Sequence, residues 1–168
     1  MELNAQIPQE VDPLSGASSG FEAPKYPVLA ADRIVRFEIT KAIKDSVKED
    51  KEKQVPNPRE MLVLTLKTTK DYSDKDGKPL RQGFTVYKRI GLYEIKGNPD
   101  RRDRTLKDQI GPELAQLLVC CGLGNRSPRE LVTNPAIIEK ALVDCKTSIV
   151  PPKDGYPESN NVVFVPPA

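Results

Sequence analysis

The chain has 168 residues, with 26 Lys and Arg against 24 Asp and Glu, a length that suits one domain of roughly 100–150 residues plus a tail. Histidine and tryptophan are absent, which excludes Ser-His-Asp triads, Cys-His nucleophile pairs and every His-ligated metal site. A formal charge of +2 and 16 prolines point to a binding or assembly protein rather than an enzyme.

Residues 1–28 carry Pro8, Pro13, Pro24 and Pro27 and the small-residue run Ser15-Gly16-Ala17-Ser18-Ser19-Gly20. No period of 2 or 3.6 is present there, so the segment reads as an extended arm, followed by one domain over residues 29–168. The first strand starts at Ile34. Alternation places Val35, Phe37, Ile39 and Ile43 on one face and Arg36, Glu38, Thr40 and Lys44 on the other. A charged loop over residues 45–60 mixes Lys48, Lys51 and Lys53 with Asp45, Glu49, Asp50 and Glu52 before the Pro56-Asn57-Pro58 break.

Met61-Leu62-Val63-Leu64-Thr65-Leu66 is apolar on both faces at its start, the mark of an interior strand. Asp76-Gly77 is a hairpin turn signal, and Phe84-Thr85-Val86-Tyr87-Lys88-Arg89-Ile90 is the return strand. The period then changes. Ile110, Leu114, Leu117, Leu118 and Cys121 share one helical face, with Gly122 or Gly124 available to end the helix. Gly111-Pro112 places the helix start near Pro112, with a looser turn before it. Ser127-Pro128-Arg129-Glu130 is a capping box opening a short helix, and Asn134-Pro135 starts another turn. Alternation resumes at Ala141, Val143, Cys145, Thr147 and Ile149. A turn at Lys153-Asp154-Gly155-Tyr156-Pro157 leads into the closing strand Asn161-Val162-Val163-Phe164-Val165.

The three cysteines, Cys120, Cys121 and Cys145, have no C-x-x-C spacing and read as small apolar residues, so neither a disulfide framework nor a metal site is expected. No cofactor is implied. The N-terminus has no basic stretch followed by an apolar one, and no run approaches 18 apolar residues, so neither a leader nor a membrane span is expected. Gly122-Leu123-Gly124 follows a helix instead of preceding one, which argues against a phosphate loop. Asp71, Asp74 and Asp76 lack EF-hand spacing and a closing Glu; a hairpin turn explains them.

Three strands, a helical insertion between the third and fourth, and two more strands give the element order of the OB-fold, a five-stranded Greek-key barrel. Residues from about 33 to 165 resemble the phage-encoded single-stranded DNA-binding proteins of OB-fold type. The resemblance is carried by the long first strand, the Met-Leu-Val-Leu-Thr-Leu strand ending in Lys67, and the leucine-rich helix closing on Cys121-Gly122-Leu123. Its most distinctive part is the Asp-Gly-Tyr-Pro turn followed by Asn and a β-branched strand. It does not extend to residues 1–28. It implies a sequence-tolerant binder acting in phage replication or recombination, located in the host cytoplasm.

An OB-fold binds single strands on its second and third strands and the flanking loops, using cations for phosphates and flat rings for bases. Lys67, Lys70, Lys75, Lys78 and Arg81 surround the central hairpin, with Lys88 and Arg89 in its return strand. Tyr72 and Tyr87 supply rings there, and Lys153 sits with Tyr156 in the last loop. The structural alternative is a phage virion protein, a capsid cement or decoration subunit, with residues 1–28 lying across neighbouring subunits or other phage proteins. A protein-binding OB module with neither role is the third reading. Homo-oligomerisation would cover the sheet edges of any of the three.

Overall fold

Period-two alternation organises most of the molecule. A computed structural model describes residues 26–47 and 59–167. The proposed arm up to residue 25 and the charged loop residues 48–58, with Lys48, Lys51 and Lys53, lie outside the described residues. The strands are β1 (Ile34–Val47), β2 (Arg59–Thr68), the two-residue β3 (Tyr72–Ser73) and β4 (Pro79–Leu80), β5 (Thr85–Gly91), β6 (Leu142–Val150) and β7 (Ser159–Val165). The five long strands form an antiparallel sheet in the order β5-β2-β1-β6-β7. β3 and β4 form a separate hairpin between β2 and β5.

Alternate residues of each long strand face the core: Val35, Phe37 and Ile39 from β1, Leu62, Leu64 and Leu66 from β2, Val86 and Ile90 from β5. Val143 and Cys145 from β6 and Val162 and Phe164 from β7 complete this side. Helices cover it. A π-helical turn (Leu106–Ile110) runs into α1 (Gly111–Cys120), which buries Leu114, Leu117, Leu118 and Cys120. At its end Gly122 takes φ +76, and the N–H groups of Gly122 and Leu123 bond to the carbonyls of Val119 and Leu118. That pairing is a Schellman stop. The capping box at Ser127 and Glu130 opens α2 (Pro128–Thr133), and a 3-10 turn follows at Pro135–Ile138. No helix among the described residues is long and apolar enough to cross a membrane.

The closed barrel expected from the element order is not formed. β5 and β7 are the two ends of the ladder, and side chains occupy the space between them. Lys88 Nζ donates to Asn161 Oδ1 at 3.1 Å and Gln116 Nε2 reaches the Phe164 carbonyl at 3.5 Å. A cleft of about 140 Å³ lies there, lined by Lys88, Glu113, Gln116, Leu117, Val163 and Phe164. Paired strands lie about 4.8 Å apart; a seam holding a lysine and a face of α1 is wider than that.

The expected burial of Ile43 is also corrected. Ile39 pairs with Leu66 but Lys41 pairs with Thr65, so Thr40 is one extra residue in β1. Such a bulge reverses the alternation beyond it. Ala42 is therefore buried at 4% exposure, while Ile43 is 41% exposed.

The described chain enters by packing Val28 and Leu29 into the core. Asn160 holds this entry at both backbone groups of Leu29, accepting its N–H at 2.7 Å and donating to its carbonyl at 3.0 Å. Lys75 N–H donates to the Val28 carbonyl at 3.0 Å, which docks the entry segment on the β3–β4 turn.

Candidate nucleic-acid interface

The outer face of the sheet is built by the residues that alternate with the core set. Register places Tyr87 of β5, Thr65 of β2 and Lys41 of β1 in one row across three strands. Two residues along β5 from Tyr87, on the same face, is Arg89, opposite Val63. Lys67 pairs with Thr85 in the next row. Tyr87 is 60% exposed, and Lys41, Lys67 and Arg89 are exposed around it. None of these three cations has a salt-bridge partner among the described residues. Glu38, opposite Lys67 in β1, is the acid on this part of the face.

Lys88 has a different fate from its neighbours. Adjacent strand residues point to opposite faces, so Lys88 turns into the seam beside Glu113 while Tyr87 and Arg89 face outward. Burial pulls its pKa down, partly offset by the Glu113 carboxylate. Glu113 is itself engaged by Arg104 Nη2 at 2.6 Å, and the same nitrogen donates to the Gly91 carbonyl at 3.1 Å.

The hairpin group divides between structural and open positions. The Tyr72 hydroxyl accepts the Arg36 backbone N–H at 2.9 Å, and Lys70 Nζ lies 5.4 Å from the Tyr72 ring centroid. Lys75 is paired with Glu158, which raises its pKa and ties the β3–β4 turn to the loop before β7. Asp74 is buried and accepts the N–H groups of Asp76 and Lys78, both at 2.8 Å. That organises the turn where Gly77 takes φ +83, a conformation only glycine adopts without strain. Lys78 and Arg81 are exposed.

In the β6–β7 turn, Lys153 and Tyr156 bond to each other through both backbone groups, at 3.2 and 2.9 Å. This projects Tyr156 to 76% exposure. The structure thus brings Lys67, Tyr87 and Arg89 together on one face. Lys88 stands in the seam, and Lys70, Tyr72 and Lys75 sit in local contacts at the hairpin.

Lys41 belongs with the first set and was not among the sequence candidates. Strict alternation assigns it inward; only the bulge brings it out. Arg36 is exposed on the outer face too, but its guanidinium binds the Asp144 carboxylate through two bonds of 2.9 and 3.1 Å. That pairing pulls the Asp144 pKa down.

The described residues contain no group of three or more His, Cys, Asp or Glu placed to hold a metal ion. All three cysteines are free thiols. Burial pushes the Cys121 and Cys145 thiols up to about 12, so both stay protonated at neutral pH and are poor nucleophiles. No protein-family model matches the chain, and no curated protein or solved structure matches it either.

Proposed function

We propose that the chain is a sequence-tolerant single-stranded DNA-binding protein of OB-fold type, of the kind phages encode for replication and recombination. The observation that carries this reading is the exposed Tyr87 ring, set among Lys41, Lys67 and Arg89 on the outer face of β1, β2 and β5. A ring at the surface gives a base a stacking platform of about 1–3 kcal/mol, and the cations around it, which have no ion-pair partner among the described residues, supply the phosphate contacts. Leaving a large ring in water serves no packing purpose on a face where Leu62, Leu64 and Leu66 already point inward.

The topology is compatible with the reading. The first long strand pairs with both the second and the fourth, and the helices fall between the third and fourth. An OB-fold is a partly open barrel, so the side-chain-filled seam between β5 and β7 does not count against it. The virion alternative rests on residues 1–28, most of which lie outside the described residues, and no observation on the described ones favours it.

The test is a titration of fluorescently labelled oligo-dT with the full chain, followed by anisotropy over a range of salt. Binding at low salt is expected, with log K falling against log salt at a slope of about −2, from three phosphate contacts at roughly 0.7 each. Absence of binding at low salt overturns the reading.

A further inference from the structure

The bulge in β1 has a specific support. Where β6 diverges from β1, the connection into β6 takes over its edge. The Ile39 N–H donates to the Ala141 carbonyl at 2.9 Å, and the Lys140 N–H donates to the Ile39 carbonyl at 2.7 Å. Beyond the bulge the Ala42 N–H meets a side chain on this edge: Glu139 Oε2 accepts it at 2.9 Å.

The backbone beside this contact is unusual. Lys140 adopts φ +72, a left-handed conformation that is strained for a residue carrying a Cβ. Strain of this kind is retained where surrounding structure holds it and collects at functional sites. Here it turns the chain so that Glu139 and Lys140 both face β1 around the extra residue.

We infer that Glu139 is a positioning residue for the polynucleotide face: its carboxylate, by holding the Ala42 N–H, fixes the bulge that keeps Lys41 in line with Tyr87. The inference rests on the single-stranded DNA reading above. Without the extra residue Lys41 would stand opposite Leu64, on the buried side, and the row across β5, β2 and β1 would lose its cation. Glu139 is half-buried and bonded to backbone rather than to any cation of the face, so its part is geometric.

Simple charge counting predicts the opposite sign, which makes the idea testable. Removing a carboxylate raises the net charge and should tighten binding to a polyanion. The positioning role predicts that Glu139→Ala weakens oligo-dT binding and lowers the magnitude of the salt slope by about 0.7, the loss of one phosphate contact. Glu139→Gln, which keeps an acceptor oxygen, should retain the wild-type slope. The Lys41→Gln and Glu139→Ala changes should be non-additive. Hydrogen exchange at the Ala42 amide gives an independent readout: protection in the wild type, at least tenfold faster exchange in Glu139→Ala, and restored protection in Glu139→Gln. An unprotected Ala42 amide in the wild type, or unchanged or tighter binding by Glu139→Ala, overturns the inference. If the wild type binds no oligo-dT at all, the functional reading fails; if it binds and Glu139→Ala does not alter the slope, only this inference fails.

Discussion

The outer face of β1, β2 and β5 and the Tyr72 and Lys75 positions of the β3–β4 hairpin are built from the same residue types, yet they use them in opposite ways. At the hairpin, the tyrosine spends its hydroxyl on the Arg36 N–H, and Lys75 is held by Glu158. On the sheet face, Tyr87, Lys41, Lys67 and Arg89 are exposed and the cations have no ion-pair partner among the described residues. A lysine–tyrosine cluster is therefore no guide to function until its partners are known. The cluster that satisfies itself is scaffold, and the one left unsatisfied is available to a ligand.

The contrast can be broken most directly at Tyr72. Tyr72→Ala removes a half-buried ring and its bond to β1, and should cost about 2 kcal/mol in urea unfolding while the folded protein keeps its affinity for oligo-dT. A large loss of affinity at unchanged stability would place Tyr72 in the binding face and erase the distinction.

Two consecutive residues sharpen it next. Arg89→Gln should lower the magnitude of the salt slope by about 0.7, whereas Lys88→Met should leave that slope as it is. The same Lys88 change has a pH signature. Burial depresses the pKa of Lys88, so its charged form weighs against folding below the folded-state pKa. That penalty is relieved as pH rises through the depressed value towards the unfolded one. Lys88→Met should thus flatten a rise in stability on the alkaline side, read by thermal unfolding from pH 7 to 10.5.

The smallest effect is expected at the Arg36–Asp144 pair. Arg36 lowers the pKa of Asp144, so its contribution is present above the unfolded value near 3.9 and is lost as pH falls through the folded one. Both side chains are substantially exposed, so solvent screens the pair and the effect is small. Asp144→Asn should slightly reduce the loss of stability as pH falls below about 4, read by thermal unfolding.

What could be read from the sequence follows the range of the interactions involved. The capping box at Ser127 and Glu130 and the Gly77 turn are set within four residues, and both formed as expected. The alternation from Ile34 to Ile39 and from Val143 to Thr147 likewise announced its buried face. The bulge at Thr40 is one residue of register, held by Glu139 almost a hundred residues away, and no local pattern signals it. Alternation alone therefore puts Ile43, and Lys41 with it, on the inward face. The seam depends on how α1 packs between two distant strand edges, which element order does not encode. Lys88 differs, because alternation along β5 already separates it from Tyr87 and Arg89 despite their adjacency in the sequence.

Single-strand binding by this face requires the Tyr87 ring to act as a stacking surface. Oligo-dT affinity of the full chain should be measured for wild type, Tyr87→Phe and Tyr87→Ala at one low salt concentration, with unfolding midpoints recorded alongside. Tyr87→Phe should bind within about twofold of wild type and Tyr87→Ala about 5- to 150-fold more weakly, with all three equally stable. Equal affinities for the three proteins would show that the ring stacks on no base.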